Sequence, residues 1–132
     1  MGTVDLEATS GYDRVVVLQA LQRQVSHLQA RLYRAMGAVA EHMETVEFPD
    51  DASLAWEAAA TEIRAALRLT RRSAEGELDL AVGLCRRLPR VGNALLRGTL
   101  DRARARVLVE GTAHLEEAAA RRVVDAVIDD AA

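Results

Sequence analysis

The chain has 132 residues and a formal net charge of −3, a size that suits one domain with a single core. Its only cysteine, Cys85, excludes an intrachain disulfide, and no apolar run approaches the ~18 residues of a membrane span. The first residues lack the basic and apolar regions of a signal peptide, so the sequence predicts a cytoplasmic protein. Half of the residues are apolar, and 25 are alanine, which favours closely packed helices.

A long N-terminal helix is the first predicted element. Residues 1–12 are expected to be a flexible segment, followed by a single helical domain over residues 13–132. Asp13 is a candidate N-cap for a helix that continues without proline to about Met43. Its apolar residues recur mostly at alternating spacings of three and four, which is a heptad-like pattern. They are Val15, Leu18, Leu21, Val25, Leu28, Leu32, Ala35 and Val39.

That helix would be roughly 45 Å long, so either several later helices pack along its stripe or a second chain does. Four or five shorter helices follow, each bounded by a capping or helix-breaking residue. The boundary residues are Pro49, Asp51 or Ser53, Thr70, Pro89, Gly98 and Asp101. They delimit helices over about 54–67, 71–88, 89–98, 101–111 and 115–128. No strand pattern is present, so the predicted fold is all-α.

The centre of the chain is basic, because residues 61–106 carry 11 arginines against five acids. The apolar spacing on either side of Thr70 resembles that of a helix-turn-helix, whose second helix enters the major groove of DNA. Many such turns contain a glycine that adopts a positive φ, but Arg68 or Leu69 stands at that place here. A plain corner in a helical bundle is therefore the alternative interpretation.

Five arginines of this centre are candidate contacts to DNA phosphate: Arg71, Arg72, Arg86, Arg87 and Arg90. The first two begin the second helix of the corner. The next two lie on the predicted outward face of that helix, together with Gly76, Asp79 and Gly83. The two glycines would let another backbone approach closely, although sequence drift explains them equally well. Asp79 would partly neutralise the patch.

No catalytic or metal-binding constellation is present in the sequence. His27, His42 and His114 lie in different predicted elements and lack metal-site spacing with one another or with Cys85. Cys85 falls on the predicted buried face, and no nucleophile stands beside an obvious base. We therefore expect no enzymatic activity, no cofactor and no metal. The arginines of residues 101–106 are expected to form a solvated helix surface.

The run from Leu54 to the end also resembles a known family. The features that carry the likeness are the Leu69-Thr70 corner, the Leu88-Pro89 break, a short helix ending in Gly98, the Leu100-Asp101 cap and the segment Ala105, Arg106, Val107. Together they resemble the domain of unknown function 222 of actinobacterial 13E12-repeat proteins. The resemblance covers about residues 13–129 and implies an uncharacterised helical domain.

Members of that family commonly continue into a carboxy-terminal HNH endonuclease domain, which implies a role in DNA binding or mobile-element biology. This chain has no HNH motif, so no catalytic residue is implied, and it is an N-terminal portion, a short member or a remnant of a longer gene. Two main functions remain. One is an accessory module that binds DNA or a nuclease domain. The other is a protein-interaction or homodimerisation module whose interface is Leu18, Leu21, Val25, Leu28 and Leu32. A folding scaffold for a missing catalytic domain is the third alternative.

Overall fold

The computed structural model describes residues 11–131, and its side chains are described as far as residue 129. Most of the segment predicted to be flexible, residues 1–10, lies outside this range. The all-α prediction is confirmed, since the described part of the chain contains six α-helices and no strand. The helices are α1 (Gly11–His42), α2 (Ala52–Leu67), α3 (Arg71–Val82), α4 (Pro89–Arg97), α5 (Arg102–Gly111) and α6 (Glu117–Ala131).

The predicted caps Asp51, Thr70 and Asp101 form because each depends on neighbouring residues, whereas the candidate cap Asp13 lies inside α1, which is already helical at Gly11. The side chains of Asp51, Thr70 and Asp101 accept hydrogen bonds from the backbone N–H three residues further on, at 3.0, 3.1 and 2.8 Å. Pro89 occupies the first turn of α4, and Gly98 ends that helix with a φ of 75°. Helix α1 begins at Gly11, two residues earlier than predicted.

The shorter helices pack along one face of the second half of α1. From residue 11 to residue 25 no side chain of α1 is buried, whereas every turn after that contributes to the interior. The buried residues of α1 are Ser26, Ala30, Tyr33, Met36, Gly37 and Ala40. The core beneath them is centred on Leu78, Leu88, Val91, Leu95 and Leu100, none more than 1% exposed. Small residues on α1 let α3 and α4 approach it closely.

Two π-helical turns, Met43–Glu47 and Gly83–Arg87, extend α1 and α3 before the chain bends. In the second turn Gly83 is buried, and a Cβ added to it would lie 2.6 Å from Cγ1 of Val109 on α5. The prediction that Gly83 lies on an outward face is therefore wrong, because α5 packs on that position. Gly76 does face outward, with no atom within 4 Å of the place a Cβ would take.

Candidate interaction surface

The predicted heptad stripe of α1 is exposed in the structure. Leu18 is 64% exposed and Leu28 is 60% exposed, and the other three predicted interface residues, Leu21, Val25 and Leu32, are each more than a third exposed. Among the described residues, no later helix covers this stripe. At 100° per residue, the stripe lies roughly 120° around the helix from the face that the bundle buries.

The apolar stripe is a contiguous exposed patch. From the exposed fractions of its five residues, it presents on the order of 500 Å² of apolar surface, the size of the largest patch on a typical monomer, which is often functional. Polar side chains flank it on both sides. They are Gln22 and Gln29 along one edge, and Gln24 and Arg31 along the other. The stripe is therefore a narrow apolar seam with the heptad spacing of a coiled-coil helix, although its edges are mostly glutamine where coiled coils often have Glu and Lys.

The first half of α1 projects past the bundle. The end of α4 contacts α1 at Gly98, where an added Cβ would lie 2.8 Å from Cβ of Arg23. One turn later His27 Nδ1 donates to the carbonyl of Leu96 at 2.8 Å. Residues 11–22 precede these contacts, and they extend about 18 Å along the helix axis. The seam thus runs from a projecting arm onto the body of the bundle.

Two of the arginines predicted to contact DNA are paired with carboxylates of distant elements. Arg86 Nη1 lies 2.9 Å from Oε1 of Glu44, which joins the two π-helical turns. Arg90 lies 3.1 Å from Asp125 and 3.6 Å from Asp129, which joins the start of α4 to α6. These pairs are partly exposed and individually weak, but they reduce the positive charge presented to a polyanion.

Arg87 and Arg121 close the ends of helices. Arg87 Nη2 donates to the carbonyl oxygens of Thr112, at 2.8 Å, and Leu115, in the turn between α5 and α6. Arg121 of α6 donates in return to the carbonyls of Arg87, at 2.9 Å, and Arg86, at 3.1 Å. Carbonyl oxygens at a helix end have no hydrogen-bond donor within the helix, and these two guanidinium groups donate to them instead. Arg87 is therefore a structural residue in this fold.

The remaining predicted arginines stand at the corner between α2 and α3. Arg68 adopts the left-handed conformation, with a φ of 55°, at the place where helix-turn-helix motifs often carry glycine. Arg71 forms an ion pair with Glu75 at 3.1 Å and stays largely exposed. Arg72 is exposed, and no ion pair within the described residues includes it. Contact of Arg71 and Arg72 with DNA stays a prediction.

A polar network that the sequence did not predict joins three helices. Tyr33 Oη on α1 donates to Glu77 Oε2 on α3 at 2.7 Å. Arg102 at the start of α5 donates to Tyr33 Oη at 2.6 Å and to Glu77 Oε1 at 2.5 Å. Burial, reinforced by the neighbouring Glu77, raises the pKa of Tyr33 to about 12. The expectation of a solvated surface is wrong for Arg102, which is half-buried.

The groups with potential for chemistry remain separate. Cys85 is half-buried, its thiol donates to the carbonyl of Tyr33 at 3.7 Å, and burial raises the pKa of the thiol. A raised pKa lowers the thiolate fraction and hence the reactivity of the sulfur. His42 pairs with Glu47 at 3.2 Å, at an exposed helix end. Across the described range, no three His, Cys, Asp or Glu side chains converge as a metal-binding group.

The structure thus defines an all-α domain with a long helix and an uncovered apolar seam. Several of its arginines bind carboxylates or helix-end carbonyls of the same chain. The chain belongs to the family described as domain of unknown function (DUF222), whose model matches residues 16–132. Comparison with curated proteins and with solved structures gave no match. No helix within residues 11–131 has the length and apolar character needed to cross a membrane.

Proposed function

We propose that this domain is a non-catalytic helical interaction module that docks an apolar α-helix on the seam of α1. The observation that carries the proposal is the exposure of the five seam residues, Leu18, Leu21, Val25, Leu28 and Leu32. The partner is defined by its chemistry: a helix with its own apolar residues at alternating spacings of three and four.

The energetics support docking of this kind. Full burial of a leucine or valine side chain contributes about 1.5–3 kcal/mol, so completing the burial of a half-exposed one contributes about 1 kcal/mol. Five such residues, met by five on the partner, supply on the order of 10 kcal/mol before the cost of association, which is about 4–15 kcal/mol. At the lower end of that cost the balance is about 5–6 kcal/mol, which corresponds to a weak, reversible complex with a dissociation constant of tens to hundreds of micromolar.

A synthetic peptide with the sequence of residues 14–39 tests the proposal, because it carries the same seam without the bundle. We expect a labelled peptide to bind the full chain in fluorescence anisotropy with a dissociation constant of tens to hundreds of micromolar. A control peptide with Leu21 and Leu28 replaced by serine should bind at least tenfold more weakly, since it lacks two apolar contacts. Equal binding by the two peptides, or no binding by either, would refute the proposal.

A second candidate function is DNA association through the α2–α3 corner. It is supported by exposed Arg71 and Arg72 at the N-terminus of α3, where a recognition helix contacts phosphate and bases. The turn of a helix-turn-helix needs a residue with a positive φ, which is often glycine. Arg68 adopts that conformation here, so the corner has the required backbone shape without a glycine. The sequence resemblance implies that an HNH nuclease domain commonly follows a domain of this family. A nuclease domain would be a suitable partner for a domain that binds DNA.

The salt dependence of duplex binding tests this second candidate. Each phosphate contact contributes about 0.9 to the slope of log affinity against log salt. The double variant Arg71→Ala/Arg72→Ala should therefore reduce the slope by about 2. The control, Arg104→Ala/Arg106→Ala on α5, removes the same charge from another surface and should change the slope less. No binding at low salt, or equal slopes for both variants, would exclude the corner as a DNA site.

A further inference from the structure

We infer that the helix docked on the seam of α1 is α1 of a second copy of this chain, in antiparallel orientation. The inference rests on the proposed function and names the partner. A heptad seam is its own complement, because apolar layers of one helix fit between those of an identical helix. The seam residues occupy the two core positions of the repeat: Leu18, Val25 and Leu32 at one, and Leu21, Leu28 and Ala35 at the other.

One antiparallel register matches every seam residue with an apolar one. In antiparallel pairs the two core positions alternate across each layer, so Val25 packs against Leu28 of the second copy. The neighbouring layers then join Leu21 with Leu32 and Leu18 with Ala35, and the two-fold axis repeats each layer once. Shifting the register by one heptad toward the N-terminus would bring Leu32 against Arg14, a charged side chain, and lose a layer.

The flanking residues are compatible with this pairing. Edge positions in an antiparallel pair face the same edge of the partner. Arg31 therefore faces Gln24 of the second copy, and Gln22 faces Gln29. No like charges oppose each other along the seam, so no repulsion acts against self-association.

A parallel pair fits the structure less well at its N-terminal end. There each residue faces its counterpart in the second copy, which would bring two Arg14 side chains together in a core layer. In the antiparallel register Arg14 lies instead opposite Val39, beyond the apolar layers, so the two like charges stay apart. The antiparallel seam, from residue 18 to residue 35, uses the exposed part of the stripe.

The antiparallel pair also explains why α1 projects beyond the bundle. In this register residues 11–22 of one copy lie beside residues 31–42 of the other, where the partner's shorter helices are packed. The projecting arm of each copy is thereby supported by the body of the other. The pair buries about 1,000 Å² in total from the seam side chains alone, at the lower limit of specific interfaces. This area suits a reversible dimer.

Cross-linking of cysteine variants distinguishes the orientations. On a Cys85→Ala background, Leu21→Cys and Leu32→Cys are prepared separately, one with a larger tag, and treated with a short bismaleimide. We expect a cross-linked species of mixed mass when the two variants are combined, and little product from either alone. In the antiparallel pair like positions lie about 16 Å apart along the axis. The pair Leu18→Cys and Ala35→Cys repeats the test with a milder substitution.

Leu54→Cys, an exposed position on α2 away from the seam, is the control and should not cross-link in any combination. Cross-linking of each variant with itself would overturn the antiparallel orientation in favour of a parallel one. Absence of all cross-links would exclude a second copy as the occupant. Peptide binding would then decide the proposed function, because a chain that binds the peptide without pairing still docks a helix.

Discussion

Replacing one leucine on the seam and one off it gives the most direct test of where the molecule associates. Leu32 on the seam and Leu54 at the start of α2 are 43% and 42% exposed, so Leu32→Ala and Leu54→Ala remove the same side chain from similar environments in the free chain. Each should cost the free chain a similar free energy of unfolding, about 1 kcal/mol. Any difference in association therefore comes from the surface on which the leucine lies.

The expected loss follows from the area that pairing would bury. Covering the exposed part of Leu32 contributes about 1 kcal/mol, and a symmetric pair contains two copies, so Leu32→Ala should cost about 2 kcal/mol of dimer stability. That is roughly a 30-fold increase in the dissociation constant. Sedimentation equilibrium over a dilution series measures it, with urea unfolding as the check on stability. Equal weakening by Leu54→Ala would refute the seam as the interface.

The remaining predictions concern stability and are measured by urea unfolding. Gly83→Ala should cost about 1–3 kcal/mol because its Cβ would overlap Val109, whereas Gly76→Ala should add up to about 1 kcal/mol because it raises helix propensity in open space. Arg68→Gly should add up to about 1 kcal/mol by relieving a left-handed conformation. Since the pKa of Tyr33 is raised to about 12, its contribution is complete below pH 10 and is lost as pH rises to 12, by about 2.5 kcal/mol; Tyr33→Phe should lack that loss.

The helix boundaries were predictable because each is determined within a few residues. Asp51, Thr70 and Asp101 cap backbone N–H groups three positions away, and Gly98 ends α4 by adopting a conformation that other residues avoid. Such interactions need no information about distant parts of the chain. The π-helical turns were not predicted, because each ends its helix and no apolar stripe follows it in which the extra residue would show as a shift in spacing.

The choice between the two apolar faces of α1 could not be made from the sequence. Both faces have spacings of three and four, and the exposed one contains more of the large aliphatic side chains. The bundle instead uses the face of Ala30, Tyr33, Gly37 and Ala40, where small residues let α3 and α4 approach closely. The predicted interface thus stays exposed because the bundle packs on the face with small residues. The heptad-like spacing of the exposed face does not show this preference.

The arginines show why composition overstated a nucleic-acid surface. Charge within residues 61–106 is visible in the sequence, but the partners of Arg86, Arg87 and Arg90 lie 25 or more positions away and depend on the completed fold. A guanidinium group has five donors in one plane, so it can satisfy helix-end carbonyls as readily as phosphates. All 17 basic residues of the chain are arginine. Arginines that bond helix ends and carboxylates within the fold therefore cannot be told by residue type from arginines that would bind DNA.

An exposed leucine row is consequently the more informative signal in this molecule. An arginine on the surface gains hydration and ion pairs without any partner protein, so its exposure has a sufficient internal explanation. Five apolar side chains along one helix gain nothing from exposure, and soluble monomers rarely keep a larger contiguous patch without a use for it. The seam lies off the face of α1 that packs on the core of the bundle. Its heptad spacing is the one that the proposed docking of an apolar helix would use.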